Sequence, residues 1–388
     1  MNQPPDNGTR AHGSDTHPGL VLGGVFSTHD TLGPSPQSSW TGPPTPGNDF
    51  FTRYVEDLEL LAQSGIRAIR LGLDWARLQS APGRVDDDWR EWYHGVLLVS
   101  QRLGIDVWLA LHESTVPAWF DDEGSFGDRR TATLAWPRWV ETAAELFGDL
   151  AAGWFPLVDP VTAAARWSDD PRRHEEALIN LAVAWRDAWR ILRGGPPVAT
   201  ALGLFNTRPV GHGVPAEKRA RFEEYLRWRL WLRALRDGVL RLPNGSERQI
   251  ADLDGSLDHL GIVTTLDHPE LTISDESLRR WEERLGTVLR RAGEEGPDRP
   301  IDLCALRVDW QHESERQLLV ETGVNAIESA LRDGVQVRSV FVDPTVRMRA
   351  TSAALTDRDR QPTGELPAWR RLITTPGLST GSGRDQTG

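Results

Sequence analysis

Short apolar runs alternate along the chain with longer stretches of helical spacing. The runs are Leu20–Ser27, Ala68–Leu73, Asp106–Leu111, Ala151–Leu157, Val198–Phe205, His259–Thr265, Ile301–Leu306 and Val335–Val342, each of the length of a buried strand. Between them Leu178, Leu181, Trp185, Trp189 and Leu192 fall at steps of three and four, as do Leu278, Trp281, Leu285 and Leu289. Such spacing gives each helix one apolar face. Strand–helix alternation predicts a parallel sheet. Eight such units predict a single α/β domain, a closed (β/α)8 TIM barrel over residues 18–373. Residues 1–17 and 374–388 are polar and rich in small residues, and they read as disordered tails. Thr28–Gly47, rich in Pro, Gly and Ser, is a long loop after the first strand, where barrels carry function.

Composition narrows the partners. The chain has 388 residues, 39% hydrophobic and 26% charged, with a net charge of −12, which suits a globular protein. An acidic balance argues against nucleic acid, whose binding rests on clustered cations. Lys218 is the one lysine, a compositional bias and not a binding signal. No run approaches the ~18 apolar residues of a membrane span, so no membrane contact is expected. The first residues lack the positive start and apolar run of a secretion signal. Cys304 is the single cysteine, read as a buried inert thiol. Both features lead us to expect a cytoplasmic protein. His112-Glu113 and His312-Glu313 lack the second histidine of a zinc helix, and no glycine-rich phosphate loop appears. Neither metal nor cofactor is expected.

A barrel of this kind works at the C-terminal ends of its strands. Those ends carry His29 and Asp30, Asp74 and Trp75, His112 and Glu113, Asp159, Asn206, Asp267 and His268, Arg307 and Asp309, and Asp343. Any one Asp there can simply cap the next helix. Together they form an acidic rim.

These residues sit in segments that resemble glycoside hydrolase family 1, the β-glucosidase-like barrels, from about residue 20 to 373. Arg53, Tyr54, Glu56 and Asp57 look like that family's first helix, and Arg70, Trp75 and Arg77 stand in register with its second strand. Gly104–Pro117 resembles the third strand, and Phe147–Pro160 the fourth, which in the family ends Asn-Glu-Pro. Arg316 to Gly334 matches the last long helix and the turn after it. The resemblance implies a TIM barrel and a small glycoside-like substrate. It also implies a broken signature. Asp159 stands at the acid/base glutamate and Val158 at the preceding asparagine. Ala305, within Cys304-Ala305-Leu306-Arg307, stands at the nucleophile. Glu113 and Asp343 replace tryptophans that stack on sugar. Leu319-Val320-Glu321-Thr322-Gly323 imitates the nucleophile run, but the gapless helix match puts Glu321 mid-helix as a surface charge.

Retaining glycosidases need two carboxyl groups about 5–5.5 Å apart, and alanine cannot attack. A buried Arg70 without the nucleophile would need a new partner, with Glu113, Asp343, Asp159 or a ligand anion as the choices. We therefore expect Asp159, Glu113 and His112 to carry acid/base chemistry without a covalent glycosyl intermediate. Arg70, Arg307, Asp343, Trp75 and Asn206 would bind the small, oxygen-rich substrate. Elimination, cyclisation, epimerisation or rearrangement would fit. The alternatives are hydrolysis by a displaced carboxylate pair, and a pseudoglycosidase that binds a sugar or metabolite without turnover.

Overall fold

The computed structural model describes residues 19–40, 46–205, 207, 209, 213–267 and 273–375, so both expected tails fall essentially outside it. The strands are β1 (Val21–Phe26), β2 (Ala68–Gly72), β3 (Asp106–Ala110), β4 (Gly153–Phe155), β5 (Leu202–Gly203), β6 (Val239–Arg241), β7 (Glu247–Gln249), β8 (Leu260–Asp267), β9 (Ile301–Asp309) and β10 (Val337–Val342). Each of the eight apolar runs contains one strand of a parallel sheet ordered β4-β3-β2-β1-β10-β9-β8-β5. The sheet's two edges then meet. Trp154 N donates to Pro197 O and Ala199 N to Trp154 O, placing Trp154 beside Val198 and closing the barrel. Chain alternation at period two sends Ala68, Trp108, Ala110, Phe155, Ala201 and Phe341 inward, and Ile69, Leu71, Val107 and Leu109 out against the helices.

Three details depart from the expectation. β5 is shorter than its apolar run, whose remaining residues make only isolated bridges. The antiparallel hairpin β6–β7 was not anticipated, because three-residue strands, one of them fully exposed, carry no readable alternation. β9 runs on to Asp309, so Arg307 and Asp309 lie on the strand and not after it.

β9 also carries a bulge. Ile262 pairs with Leu303 but Val263 pairs with Ala305, and the register against β10 shifts over the same stretch. The extra residue lets both Cys304 and Ala305 join the inner apolar cluster, while Leu303 and Leu306 face the helices. Bulges re-aim side chains in this way. The Cys304 thiol is buried and pushed up to about 12, chiefly by that burial, which makes it inert.

The helices follow the spacing. In helix Pro171–Leu192, Leu178, Leu181, Trp185 and Leu192 are buried; Asp170 caps its start and Pro171 occupies the first turn. Helix Asp275–Glu295 begins with a Ser274–Ser277 capping box and buries Trp281, Leu285 and Leu289. Among the described residues no helix is long and apolar enough to cross a membrane.

The barrel floor is polar. Asp302, at the start of β9, is fully buried. It lies 2.9 Å from His259 Nδ1 and accepts from Arg338 Nε (2.9 Å), Arg338 Nη2 (3.0 Å) and Ser339 Oγ (2.6 Å). Arg338 lies over the Trp108 ring at 4.8 Å. Burial pushes this carboxyl up, but Arg338 and His259 outweigh it and hold it at about 2.

Candidate active site

Arg70 points inward from β2 and is 3% exposed. Its Nη1 donates to the Cys304 carbonyl at 2.9 Å, inside the β9 bulge, and its Nη2 to Glu113 Oε1 at 3.1 Å. The other Glu113 oxygen accepts from Thr28 N at 2.8 Å. Room for that carboxylate comes from Gly72, where a Cβ would lie 2.3 Å from Glu113 Oε2. Of the partners open to Arg70, the fold selects Glu113. Burial raises the Glu113 carboxyl above its ordinary value, and Arg70 only partly opposes this. Burial also works against the Arg70 cation, yet the Glu113 charge and its neighbours leave it raised. The dry surroundings decide for Glu113, because Arg70 divides its donors between Glu113 and a neutral carbonyl.

His112 precedes Glu113 and faces another way. It is buried, with its ring edge-on to Phe126 (5.3 Å) and Trp136 (6.5 Å). Burial lowers it to about 4, so the ring is neutral at pH 7. Neither its Nδ1 nor the Nε of Arg70 or Arg307 has a hydrogen-bond partner among the described residues.

Asp159 occupies the left-handed region (φ 44°, ψ 69°) and caps helix Pro160–Ala164, accepting from Thr162 N at 3.4 Å and from the Thr162 hydroxyl. Arg227 Nη1 lies 3.3 Å from both its oxygens and 3.1 Å from the Gly203 carbonyl. The buried Arg227 comes from a π-helical turn, Tyr225–Leu230, and rests on the Phe205 ring at 4.1 Å. Gly203 again supplies the space, since a Cβ there would lie 2.5 Å from Asp159 Oδ2. Arg227 was not anticipated. The only sequence signal is a cation set within the apolar residues Leu226, Trp228, Leu230 and Trp231, and π-turns often mark functional sites.

On the opposite wall Arg307 donates to Asp343 Oδ1 at 3.1 Å and lies 3.6 Å from Asp30 Oδ2. The Asp343 charge is the main reason its guanidinium is raised. Asp309 accepts from Ser352 Oγ at 2.6 Å, and Asp74 caps helix Trp75–Leu78 and pairs with Arg77.

Besides Asp74–Arg77, the described residues at the mouth include the ion pairs Arg70–Glu113, Arg227–Asp159 and Arg307–Asp343. Trp75 belongs to none of them. It is 2% exposed, stacked on Trp139 at 5.5 Å and bonded through Nε1 to Gln79. Its expected place on the substrate is corrected to a place in the core, because the residues capped by Asp74 fold back between barrel and helices. Asn206 and His268 lie outside the described residues. Ala305 is buried in the inner cluster that also holds Phe155 and Val158. Glu321 lies in helix Glu313–Arg332, where Gln317 donates to it at 3.3 Å, as the helix match required. A cleft of about 690 Å³, lined by Gln101, Asp106, Asp149 and Arg193 among others, opens at the opposite end of the barrel, where barrel residues serve stability.

Residues 25–166 match the model of Glycosyl hydrolase family 1. Over the whole molecule, the family 1 b-glucosidase from Thermotoga maritima superposes with a TM-score of 0.77, covering 92% of this chain and 97% of that one at 15% identity. The chain has a glycosidase-family fold. The beta-glycosidase from Pyrococcus horikoshii gives the same TM-score over 91% and 93% of the two chains at 17% identity. Among curated proteins, the 6-phospho-beta-galactosidase of Staphylococcus haemolyticus is 30% identical over 87 residues, 22% of this chain. The match spans only 19% of that relative's length.

Proposed function

We propose that this protein binds a small, oxygen-rich, sugar-like molecule at the barrel mouth and does not cleave it through a covalent glycosyl intermediate. The observation that carries this reading is the pairing of Arg70 with Glu113 and with the carbonyl of Cys304, the residue before Ala305. The position at which the family resemblance calls for an attacking carboxylate holds a buried methyl group, and the arginine beside that strand already has its counter-charge. A retaining mechanism needs one carboxylate free to attack and another to shuttle the proton. Here Asp159 is tied to Arg227 and Thr162. Two buried donors at these residues, the Nε atoms of Arg70 and Arg307, have no partner among the described residues, and buried polar atoms without partners call for an explanation, which a bound ligand would supply.

One observation favours a second reading, a repurposed acid/base enzyme. Burial raises the Glu113 carboxyl above its ordinary value, the direction in which an acid holds its proton more tightly. Acid/base help is worth roughly 10²–10⁴-fold.

A panel of 4-nitrophenyl glycosides tests the proposal. It includes a galactoside 6-phosphate, because the curated relatives are named for that substrate. We expect saturable thermal stabilisation by at least one member, no nitrophenolate release, and no mass increase with 2-deoxy-2-fluoro glycosides. A covalent adduct of one sugar residue would overturn the reading. Chemical change of a bound glycoside without an adduct, lost in Glu113→Gln, would establish the second.

A further inference from the structure

Residues 214–237 form one helical rod: helix Val214–Glu224, the π-turn Tyr225–Leu230 and helix Trp231–Asp237. Its inner side buries Leu226, Trp228, Leu230, Trp231 and Leu235 and carries Arg227. The rod has seven basic side chains and four acidic ones, in a chain whose net charge is −12. Each of the four carboxylates is already engaged: Glu217 with Arg221 at 3.1 Å, Glu223 with Arg227 at 3.4 Å, Asp237 with Arg241 at 2.7 Å, and Glu224 with Arg291. That leaves Lys218, Arg219, Arg229, Arg233 and Arg236, all exposed, with no carboxylate partner among the described residues. Arg236 donates to the Glu295 carbonyl at 3.2 Å and lies in the last helical turn, where a cation complements the helix dipole. Arg229 and Arg233 lie further in, beyond the reach of that effect. Arg229, Arg233 and Arg236 fall at steps of four and three and so share one face. At its end Arg233, Arg236, Asp237 and Arg241 line a hollow of about 430 Å³.

We propose that this outer face is a docking surface for an acidic segment of a partner protein. Like charges at these spacings repel one another along a helix, and carboxylates laid against them relieve that repulsion. Guanidinium groups take carboxylates on paired donors, and the hollow between Arg233, Arg236 and Arg241 receives one of them. From Lys218 to Arg236 the rod rises roughly 27 Å at 1.5 Å per residue, the span of about eight extended residues. A bilayer surface fits less well. The rod's exposed large apolar residues, Val214 and Phe222, both precede the Arg229–Arg236 face, whereas an interfacial helix inserts an apolar face beside its cations. Docking here does not depend on what the barrel mouth binds.

Fluorescence anisotropy of labelled poly-L-glutamate, titrated with the full chain at low ionic strength, tests this. Wild type should bind, with affinity falling as salt is added. The triple variant Arg229→Ser, Arg233→Ser, Arg236→Ser should bind roughly tenfold more weakly. Replacing the same three by Lys, which keeps the charge, should retain most of the affinity. Arg129→Ser, Arg130→Ser, Arg138→Ser, an equal charge change on the exposed side of helix Arg129–Phe147, should bind as wild type does. Absence of wild-type binding overturns the proposal, as does an equal loss in the two serine triples or no loss in the first. Phosphatidylserine vesicles and duplex DNA complete the panel. Tighter binding to either of them than to the peptide, abolished by the Arg229, Arg233 and Arg236 serine triple, overturns the assignment to an acidic polypeptide.

Discussion

The barrel holds a buried carboxylate paired with arginine at each end, and the two pairs behave oppositely. At the floor, Asp302 is surrounded by His259, Ser339 and two nitrogens of Arg338, and it is held at about 2. At the mouth, Glu113 receives one guanidinium nitrogen and one backbone N–H, and it is raised. Both are desolvated. The number of donors per carboxylate decides which way burial resolves. A saturated pair holds its carboxyl below the ordinary value, whereas an under-satisfied one leaves it above and leaves Arg70 Nε without a partner among the described residues.

The largest effect that would test this contrast is Glu113→Leu. It strands the buried Arg70, which cannot give up its charge, so a loss of about 3–5 kcal/mol is expected in urea unfolding. Next, Asp302→Asn mimics protonation of the floor carboxylate, and the displacement of its pKa to about 2 corresponds to about 2 kcal/mol. Arg70→Met should cost less than Glu113→Leu, because the stranded Glu113 can take up a proton. If Arg70→Met is the more damaging of the two, Glu113 is firmly ionised and the contrast fails.

The pH dependence carries opposite signs. Asp302, whose folded pKa lies below its unfolded value near 3.9, contributes stability that is present above that value and lost as pH falls through about 2. Glu113, raised in the fold, contributes stability present below its unfolded value and lost as pH rises through its folded one. Unfolding measured from acid to neutral pH should lose the first slope in Asp302→Asn and the second in Glu113→Leu. The smallest effect belongs to Glu321→Gln on the outer helix, where neither stability nor ligand binding should change measurably.

Much of the site was legible because strand ends are legible. Glu113, Arg307 and Asp343 were read from the strand ends and Arg70 from the family resemblance, and the structure pairs Arg70 with Glu113 and Arg307 with Asp343. Trp75 was misplaced because a strand-end position does not reveal which way a short helix folds back. Arg227 was missed because a π-turn changes which face of a helix a residue occupies, and nothing in local spacing announces it. His112 and Glu113 are adjacent in sequence, yet one packs among aromatic rings and the other enters an ion pair.

The sequence by itself determined the eight strands and the helices between them. Those follow from local periodicity, which each segment carries alone. The tertiary structure decided the pairings: Arg70 with Glu113, Arg227 with Asp159, and Asp302 with His259 and Arg338. These join residues between 36 and 68 positions apart. Which charge meets which depends on strand register, on the β9 bulge and on the space left at Gly72 and Gly203. Only the closed barrel sets those together.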